Sequence, residues 1–522
     1  MGRRFSDMTG PHRIWGHCCS PGGREKGAFF LLFKRCMVCV VFSIAICAIS
    51  GANSCCERQD APRAPMESEN SISWIRLLQA DHGPRSCAFV TDVRLTNEGN
   101  IAICGYEMAA LKGSLILGDR TNESTDCARS FVCMINTKGE VLWTRRFGGL
   151  DPSLTLSTDI PMTVGADSNG NLYVAGCFDR LVDFDPSDAG YWDSPATTGT
   201  LSSYLLKLGQ NGDFQWVITV SGTDTAWPAP RILADVNAQG DIYLLSSTSG
   251  ITLRSSLGWE TLINGNQRSL SKFSTEGHAI WTVTWGGDKA GFIGTTCGNN
   301  GELYITGFYE GDFDFDPGKQ DVIPRCNGQH NGFLMRIGSD GTFDWLKTWG
   351  AGSAGGQAVA VSEQNSVYVA GWIRKSSAFD RAINPPQGPY PCDVHLQSYG
   401  ADGSLLWERS WGEFATLQHP ELSCASGNIF LYGWFKGRPD VGPGTELQLR
   451  KLTGYEKSFY LWGFDDKGDT LALRTWEPVP GVSQATGVDV DDSGNIYLTG
   501  GGVWKSFVMK LDSAKLRDDK NQ

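Results

Sequence analysis

The chain has 522 residues, of which 41% are hydrophobic and 20% charged, a composition that argues against disorder. Its formal net charge of −12 disfavours nucleic acid or an anionic surface as a partner. Short runs rich in Val, Ile, Tyr, Phe and Trp alternate with Gly, Asn, Asp and Ser, and no long stretch shows a helical period. This pattern is typical of an all-β protein.

The first 54 residues predict export. Lys34 and Arg35 precede a 14-residue, largely apolar run (37–50) that small residues follow. A basic flank, an apolar run of this length and small residues at its end are typical of a secretory signal, and the run is short for a membrane span. We therefore assign 1–54 to a leader with a secretory or lipoprotein signal and 55–70 to a linker.

Cys55 is a candidate lipidation site, because Ala52, Asn53 and Ser54 precede it in an arrangement similar to a bacterial lipobox. The alternatives are export with simple cleavage and a retained N-terminal membrane anchor. We expect an exported protein of the bacterial periplasm, the outer-membrane surface or the extracellular space. We expect contact with a membrane only through this N-terminal segment.

Nine cysteines lie beyond Cys56, at irregular spacing and without a CxxC pair. An odd number in this arrangement predicts neither a disulfide framework nor a zinc site. Cys127 and Cys133 are the nearest pair if a single bridge forms.

A first sequence template recurs seven times: a strand, a turn ending in Gly-Asn or similar, and a second strand that ends in Gly or Ser and has a central aromatic residue in six of the copies. The copies are EGNIAICG (98–105), NGNLYVAG (169–176), QGDIYLLS (239–246), NGELYITG (300–307), QNSVYVAG (364–371), SGNIFLYG (426–433) and SGNIYLTG (493–500). Repetition at this period indicates a propeller or another repeat architecture.

A second template follows six of these copies: an apolar strand, a polar turn ending in Gly, and a strand that opens on Trp. The Trp positions are Trp143, Trp216, Trp281, Trp345 and Trp407, and Ala472 stands in the sixth copy. Each unit therefore supplies four strands, which predicts an antiparallel propeller blade. We expect the aromatic series to pack neighbouring blades together, with carbohydrate stacking as the alternative role.

Closure of the ring follows from an incomplete seventh unit. Residues 484–514 supply three strands and stop without a Trp strand, whereas 71–80 contains Trp74 at the blade Trp position. We predict a seven-bladed β-propeller over 71–514, closed by this N-terminal strand in one sheet with Phe507 and Met509 and followed by a polar tail (515–522). An N-terminal strand that completes the last blade removes two exposed edges; the alternative is a linker strand.

The motifs resemble the seven-bladed β-propeller (SBBP) repeats of exported bacterial proteins. NGNLYVAGCFDRLVDFDP (169–186) and NGELYITGFYEGDFDFDPG (300–318) match one half of that pattern, and YLLKLGQNGDFQW (204–216) and SFVMKLDS (506–513) match the other. The resemblance covers about 71–514. It implies a surface or envelope scaffold and carries over no catalytic motif.

Two Asp-rich elements are candidate calcium sites. One contains Asp183, Asp185 and Asp188, and the other contains Asp312, Asp314 and Asp316. Calcium takes six to eight oxygen ligands, often from a tight Asp-bearing loop. Carboxylates at every other strand position lie about 6–7 Å apart, however, too far to share one ion unless the chain curls. The alternative is a solvated strand face whose Asp residues cap the following turn.

Enzyme motifs are absent from the sequence. The seven His residues form no HxH, HxxxH or HExxH pair, and no GxSxG, P-loop or dinucleotide fingerprint occurs in a suitable context. A quinoprotein dehydrogenase is disfavoured because no adjacent cysteine pair lies inside the propeller. Acid pairs for glycosidic chemistry cannot be selected from the carboxylates without geometry.

We therefore predict an exported binding or scaffolding module without catalytic activity, a monomer with an unknown protein or carbohydrate ligand. The alternative is an extracellular carbohydrate-active enzyme, a lyase or glycosidase, with its site at the channel mouth. Calcium is the one cofactor considered. We expect specificity in the insertions between the second and third strands, at 106–130, 177–203, 308–332, 372–393 and 434–458.

Overall fold

The computed structural model describes most of the chain beyond residue 70. The described residues are 71–80, 87–108, 111–112, 129–148, 160–178, 181–185, 187, 192–193, 202–221, 232–237, 239–246, 251–263, 267–287, 289–318, 320–350, 352–374, 392–414, 416–436, 458–476, 481–502 and 505–518. Within them, no helix is long and apolar enough to cross a bilayer.

The described residues are almost entirely strand. In chain order the elements are β1 (Ile72–Ala80), β2 (Cys87–Leu95), β3 (Ile101–Met108), β4 (Leu111–Lys112), β5 (Arg129–Ile135), β6 (Val141–Phe147), β7 (Ile160–Ala166), β8 (Leu172–Phe178), β9 (Val182–Asp183), β10 (Trp192–Asp193), β11 (Ser202–Leu208), β12 (Phe214–Ser221), β13 (Ile232–Val236), β14 (Ile242–Ser246), β15 (Ile251–Ser255), β16 (Glu260–Ile263), β17 (Gln267–Phe273), β18 (Ala279–Gly286), β19 (Ala290–Cys297), β20 (Leu303–Tyr309), β21 (Asn331–Ile337), β22 (Phe343–Trp349), β23 (Ser353–Val361), β24 (Val367–Arg374), β25 (Cys392–Tyr399), β26 (Leu405–Phe414), β27 (Thr416–Ala425), β28 (Asn428–Lys436), β29 (Ser458–Asp465), β30 (Thr470–Trp476), β31 (Gln484–Val490), β32 (Asn495–Gly501), β33 (Lys505–Asp512) and α1 (Ser513–Asp518).

These strands form seven four-stranded antiparallel blades, as predicted. From the inner to the outer strand the blades are β2–β3–β5–β6, β7–β8–β11–β12, β13–β14–β17–β18, β19–β20–β21–β22, β23–β24–β25–β26, β27–β28–β29–β30 and β31–β32–β33–β1, numbered 1 to 7. The first strand of every blade contacts the first strand of the next blade around a closed circuit. The first strands therefore surround the central channel of a β-propeller.

Strand β1 closes the ring. It pairs antiparallel with β33, so that Trp74 lies opposite Lys510 and Leu77 lies opposite Phe507. Leu78 is fully buried in the core between blades 7 and 1. The predicted closure by an N-terminal strand is confirmed, and the linker alternative is wrong, because the backbone of β1 supplies the missing ladder of blade 7.

The repeated Trp residues fasten each blade to the next. In six blades the indole N–H donates to a backbone carbonyl in the hairpin between the third and fourth strands of the following blade, at 2.7 to 3.2 Å. The bonds run from Trp74 to Thr137, Trp143 to Gln210, Trp216 to Thr275, Trp281 to Ser339, Trp345 to Ala401 and Trp407 to Asp466. The aromatic series packs between blades, as the repeats predicted.

Blade 6 lacks this Trp hydrogen bond to the next blade, and the reason is topological. Blade 7 takes its fourth strand from the N-terminus, so it has no hairpin at this place, and Ala472 replaces the Trp. Helix α1 follows β33 instead. The Arg474 guanidinium donates to the carbonyl of Leu516 at 3.1 Å, and the Leu516 side chain is buried in the core between blades 6 and 7. The segment expected as a polar tail thus begins with a packed helical turn.

The described parts of the insertions between second and third strands hold the preceding blade. Strand β15 pairs with the outer strand β12 of blade 2, and β4 pairs with β1 of blade 7. In blade 2, Asp183 forms a bridge with Gly148 beside blade 1. In blade 4, the Trp285 indole donates from blade 3 to the carbonyl of Phe315 at 2.8 Å. These contacts assign a structural role to segments for which specificity was expected.

The antiparallel order of the strands gives the ring two different faces. The hairpins that join first to second and third to fourth strands lie on one face, which we call the hairpin face. The insertions between second and third strands lie on the opposite face, the insertion face. Strand β1 begins at Ile72, opposite Leu511 near the end of β33, so the chain enters the ring from the hairpin face.

Candidate functional site in the central channel

The Asp-rich element of blade 4 is a pair of turns. Asp312 is exposed. The Oδ1 of Asp314 accepts hydrogen bonds from the backbone N–H groups of Asp316 and Val322, at 3.1 and 2.9 Å. The Oδ1 of Asp316 accepts from the N–H of Gly318 at 2.7 Å. These bonds are the ones expected of Asp residues that cap turns.

The residues between these Asp side chains face the core. Phe313 and Phe315 are buried against Trp285 of the preceding blade. The alternation therefore sends two aromatic rings inward while the carboxylates cap the backbone. The element fastens blade 4 to blade 3.

The element of blade 2 follows the same plan. The Oδ1 of Asp183 accepts from the N–H of Asp185, and the Oδ1 of Asp185 accepts from the N–H of Ser187. Phe184 between them is fully buried. Asp188 lies outside the described residues, as does Cys55. Among the described residues, no group of three His, Cys, Asp or Glu side chains is arranged to hold a metal ion, and the calcium assignment stays a prediction.

A different set of polar side chains converges in the channel. Asp92 and Arg94 belong to the first strand of blade 1, Asp235 to that of blade 3, Glu421 to that of blade 6 and Asp489 to that of blade 7. The carboxylates of Asp489, Asp235 and Asp92 all act electrostatically on Arg94. Glu421 interacts with Asp92 and Arg94. We call these five residues the channel cluster.

The interaction between blades that are not neighbours locates the cluster. Arg94 of blade 1 interacts with Asp235 of blade 3, and Glu421 of blade 6 interacts with Asp92 of blade 1. Blades separated by another blade approach one another only at the axis of the ring. Arg94, Asp235 and Asp489 each lie one residue before the end of the first strand, opposite a residue near the beginning of the second strand. The cluster thus occupies the half of the channel near the hairpin face.

Three of the carboxylates connect adjacent first strands. Asp92 Oδ2 accepts from the N–H of Val164 in blade 2 at 3.0 Å, and from the hydroxyl of Thr163 at 2.8 Å. Asp235 Oδ2 accepts from the N–H of Cys297 in blade 4 at 2.7 Å. These bonds hold the side chains in place, because a carboxylate bound to backbone N–H groups has little freedom to rotate.

Asp489 completes this set across the closure of the ring. Its Oδ2 accepts from the N–H of Leu95 in blade 1 at 2.8 Å, and its Oδ1 accepts from the hydroxyl of Ser423 in blade 6 at 3.1 Å. One carboxylate therefore joins three consecutive blades. The cluster is preorganised by the ring itself.

Arg94 is the single cation of the cluster. Burial alone would lower the pKa of its guanidinium, but Asp489, Asp235 and Asp92 outweigh burial and raise it. Its Nε is shielded from solvent and has no hydrogen-bond partner among the described residues. Orphaned buried donors are rare in folded proteins. The guanidinium is therefore stabilised by electrostatic attraction to the three carboxylates rather than by a hydrogen bond from its Nε to a described residue.

Glu421 is a strongly perturbed carboxyl group of the cluster. Burial, and next the negative charge of Asp92, raise its pKa to about 8, although Arg94 opposes the shift. The group is therefore protonated at neutral pH. Burial likewise raises the pKa of Asp92, and Arg94 again opposes the shift. The side chains of Glu421, Asp92 and Arg94 keep partial exposure although they lie inside the ring, as expected of residues that line a channel.

The thiols around the cluster are protonated. Burial and the charge of Asp235 raise the pKa of Cys297, and burial with Asp92 raises that of Cys104. Burial also raises the pKa of Cys133 to about 12. Cys133 is a free thiol inside β5, so the structure holds no bridge from it to Cys127, which lies outside the described residues. Protonated, buried thiols are poor nucleophiles.

A second polar group lies on the insertion face between blades 4 and 5. His330 Nδ1 is 3.4 Å from the hydroxyl of Ser353, and His330 Nε2 is 3.8 Å from the carboxylate of Glu310. Burial, with Arg374 nearby, lowers the pKa of His330 to about 4, so the ring is neutral at pH 7. Phe308 packs edge-on against it. This histidine is a packed, weakly basic side chain.

Sequence reasoning missed the channel cluster. The quoted copies of the first template begin at the turn that follows the first strand, so the first strands were not aligned with one another. Such an alignment places Arg94, Asp235 and Asp489 at one position, where the other blades carry Gly165, Thr296, Ala360 and Ser423. Charged residues at a position otherwise filled by small ones are the signal that could have located the site.

Comparison with known proteins finds similarity to solved structures at low sequence identity. No model of a protein family matches the chain, and no curated protein sequence matches it. Among solved structures, it is similar to a streptogramin B lyase (10% identity, TM-score 0.40, 84% of this chain and 98% of that one). It is also similar to the polysaccharide lyase Uly1 (10%, 0.39, 89% and 94%) and to the WD40 β-propeller domain of Doa1 (11%, 0.33, 85% and 99%).

Proposed function

We propose that the chain is an exported binding module of the bacterial cell envelope, which holds a small polar ligand in the channel of its propeller without transforming it. The observation that carries the proposal is the convergence of the channel cluster. Five charged or ionisable side chains from four blades interact electrostatically in the channel. Binding sites combine a concave position with a few convergent polar groups.

The way these groups are held favours binding over catalysis. Asp92, Asp235 and Asp489 each accept backbone N–H groups of a neighbouring blade, so their lone pairs are partly committed. The neighbouring thiols of Cys297 and Cys104 have raised pKa values and are protonated. Carboxylates at the centre and indoles at the rim connect the blades, and preorganised side chains reduce the entropic cost of binding.

Attachment to the envelope is supported by the leader and by the direction in which the chain enters the ring. An anchor at Cys55 would be joined to Ser71 by a segment that reaches at most about 55 Å when fully extended. Because the chain enters at the hairpin face, that face would be turned toward the membrane. The insertion face would be turned away from it.

A carbohydrate-active enzyme is the second candidate, and one observation favours it. Glu421 is a carboxyl group that is protonated at neutral pH and lies near the guanidinium of Arg94. A protonated carboxyl next to a cation is suited to general-acid chemistry. In that case the channel cluster would act on the ligand rather than only hold it.

Turnover separates the two candidates. The full chain is incubated with a panel of neutral, acidic and amine-bearing saccharides, and thermal unfolding and mass spectrometry are followed in parallel. A binding module raises the unfolding midpoint with a ligand that is recovered intact. Formation of a product by wild type, and its loss in Glu421→Gln, would establish the enzyme instead.

Export is tested separately. Cells that produce the full chain are fractionated, and the protein is labelled with a fatty-acid analogue. The proposal expects a membrane-associated, labelled protein, and a Cys55→Ala variant without label. A protein found only in the cytoplasm would refute the envelope assignment.

A further inference from the structure

We infer that the channel cluster binds a cationic polyol, a small molecule that carries an ammonium group and several hydroxyl groups. The inference rests on the proposed function, because it names the class of ligand for the same site. Amino sugars belong to this chemical class. The steps of the argument concern charge, hydrogen bonding and space.

The charge of the cluster is unbalanced. The carboxylates of Asp92, Asp235 and Asp489 act on the single guanidinium of Arg94, and the carboxyl group of Glu421, which is neutral at pH 7, interacts with it as well. Carboxylates gathered inside a protein repel one another, and the surroundings are less able than water to screen them. A bound ammonium group relieves this repulsion, whereas an anionic ligand would increase it.

The cluster also has an unused donor. Arg94 Nε is shielded from solvent and without a partner among the described residues. A water or a ligand oxygen can satisfy a buried donor of this kind. A neutral hydroxyl oxygen suits this place, because it accepts a hydrogen bond without adding negative charge next to Asp92, Asp235 and Asp489.

The carboxyl group of Glu421 can bind either a hydroxyl or an ammonium group of the ligand. Among the described residues no group donates a hydrogen bond to it, although its partners Asp92 and Arg94 lie close enough to shift its ionisation. Its carboxyl group keeps contact with solvent through the channel. In the protonated form it donates to a hydroxyl, and in the ionised form it pairs with an ammonium group.

The channel has small side chains beside the charged ones. At the level of Arg94 the blades without a charged residue carry Gly165, Thr296, Ala360 and Ser423. Ala360 lies on a blade across the ring from blade 1, so a small residue occupies this level of the channel on that side.

Three six-carbon polyols form a matched set of probes. N-methyl-D-glucamine carries an ammonium group at pH 7, D-sorbitol is neutral, and D-gluconate carries a carboxylate. Calorimetric titration of the full chain is expected to show glucamine binding about tenfold tighter than sorbitol, the ratio produced by one favourable charge pair in partly hydrated surroundings. Gluconate is expected to bind more weakly than sorbitol.

Two channel variants and one surface variant complete the design. No described residue donates a hydrogen bond to Glu421, and Glu421→Gln keeps the shape of its side chain. Asp235→Asn removes one carboxylate. Each is expected to reduce the preference for glucamine over sorbitol by about tenfold. Asp466→Asn, in an exposed hairpin at the rim, is expected to leave it unchanged. Thermal unfolding confirms that each variant is folded.

The failures of the inference and of the proposed function are distinct. Equal binding of glucamine and sorbitol, tighter binding of gluconate, or no binding of any of the three would overturn the cationic-polyol inference. So would folded channel variants with an unchanged preference. Chemical turnover of a bound ligand would instead overturn the proposed function.

Discussion

Gly341 lies directly beneath the indole ring of Trp281 from the preceding blade. A β-carbon placed on Gly341 would be 3.1 Å from two ring atoms, and the residue has a positive φ of 87°. Two residues earlier, the carbonyl of Ser339 accepts the indole N–H at 3.0 Å. A glycine is needed here for its backbone conformation and for the close approach of the ring.

Substituting Gly341 tests this contact between Trp281 and the hairpin of the next blade. Gly341→Ala is expected to cost more stability than Gly258→Ala, which has the same kind of turn and a φ of 89° but no atom within 4 Å of the new β-carbon. Both substitutions pay about 1–2 kcal/mol for the left-handed backbone. The clash with Trp281 adds about 1–3 kcal/mol in Gly341→Ala alone. Urea unfolding measures the difference in free energy of unfolding. Equal losses of stability in the two variants would show that the contact of Trp281 with Gly341 does not stabilise the ring.

Ring closure by β1 is tested by truncation. Removal of residues 1–80 takes away β1, exposes the edge of β33 and uncovers Phe507 and Met509, which are fully buried. We expect loss of cooperative unfolding and aggregation, because an open ring presents two unpaired edges. Removal of residues 1–70 keeps β1 and is the control. If both truncated chains unfold at the same midpoint, β1 does not close the ring.

The Asp-rich element of blade 4 yields a test of its two interpretations. Asp316→Ala removes the acceptor of the Gly318 N–H and is expected to cost about 0.5–2 kcal/mol, the usual loss for such a cap. Asp312→Ala is expected to be neutral, because that side chain is exposed. If these Asp residues only cap turns, the unfolding midpoint is the same in the presence of calcium and in the presence of a chelator. A midpoint that rises with calcium and no longer does so in Asp316→Ala would support the metal site.

The raised pKa of Glu421 predicts that its contribution to the free energy of unfolding decreases as pH rises. Between the pKa of an unfolded Glu, about 4.3, and the folded pKa of about 8, the native state binds a proton that the unfolded state has lost. Stability from this group is therefore present at acidic pH and is lost as pH rises toward 8. Asp92 and Arg94 are the charged groups that face it, and Tyr432 and Tyr460 pack near it.

Glu421→Gln removes this dependence. Relative to wild type, the variant is expected to gain about 1–3 kcal/mol as pH rises from 5 to 8, a value kept low because the carboxyl touches channel solvent. Chemical unfolding at several pH values measures the difference. A constant difference across this range would show that Glu421 ionises normally.

The sequence predicted the propeller well because its repeats are local. The spacing from the aromatic of the second strand to the Trp of the fourth defines a hairpin unit, and the missing Trp strand after residue 514 points to Trp74. The residues that specify each blade are thus close together in the chain. Periodicity detects them without knowledge of the ring.

The channel cluster and the insertions were beyond such reasoning for a physical reason. Asp92, Asp235, Glu421 and Asp489 are far apart in the chain and meet only because seven first strands surround one axis. The insertions pair with the preceding blade, as β15 does with β12, and that contact leaves no periodic signal. Closure of the ring creates both features.

Proton release on binding tests the central claim most directly, namely that a ligand ammonium group is bound next to Glu421 in the channel. Calorimetric titration of N-methyl-D-glucamine into the full chain at pH 7 is repeated in two buffers with different ionisation enthalpies. An ammonium group beside Glu421 lowers its pKa and displaces its proton. The account predicts a binding enthalpy that differs between the buffers by the release of up to about one proton in wild type, and no difference in Glu421→Gln. Identical enthalpies in the two buffers for wild type would contradict it.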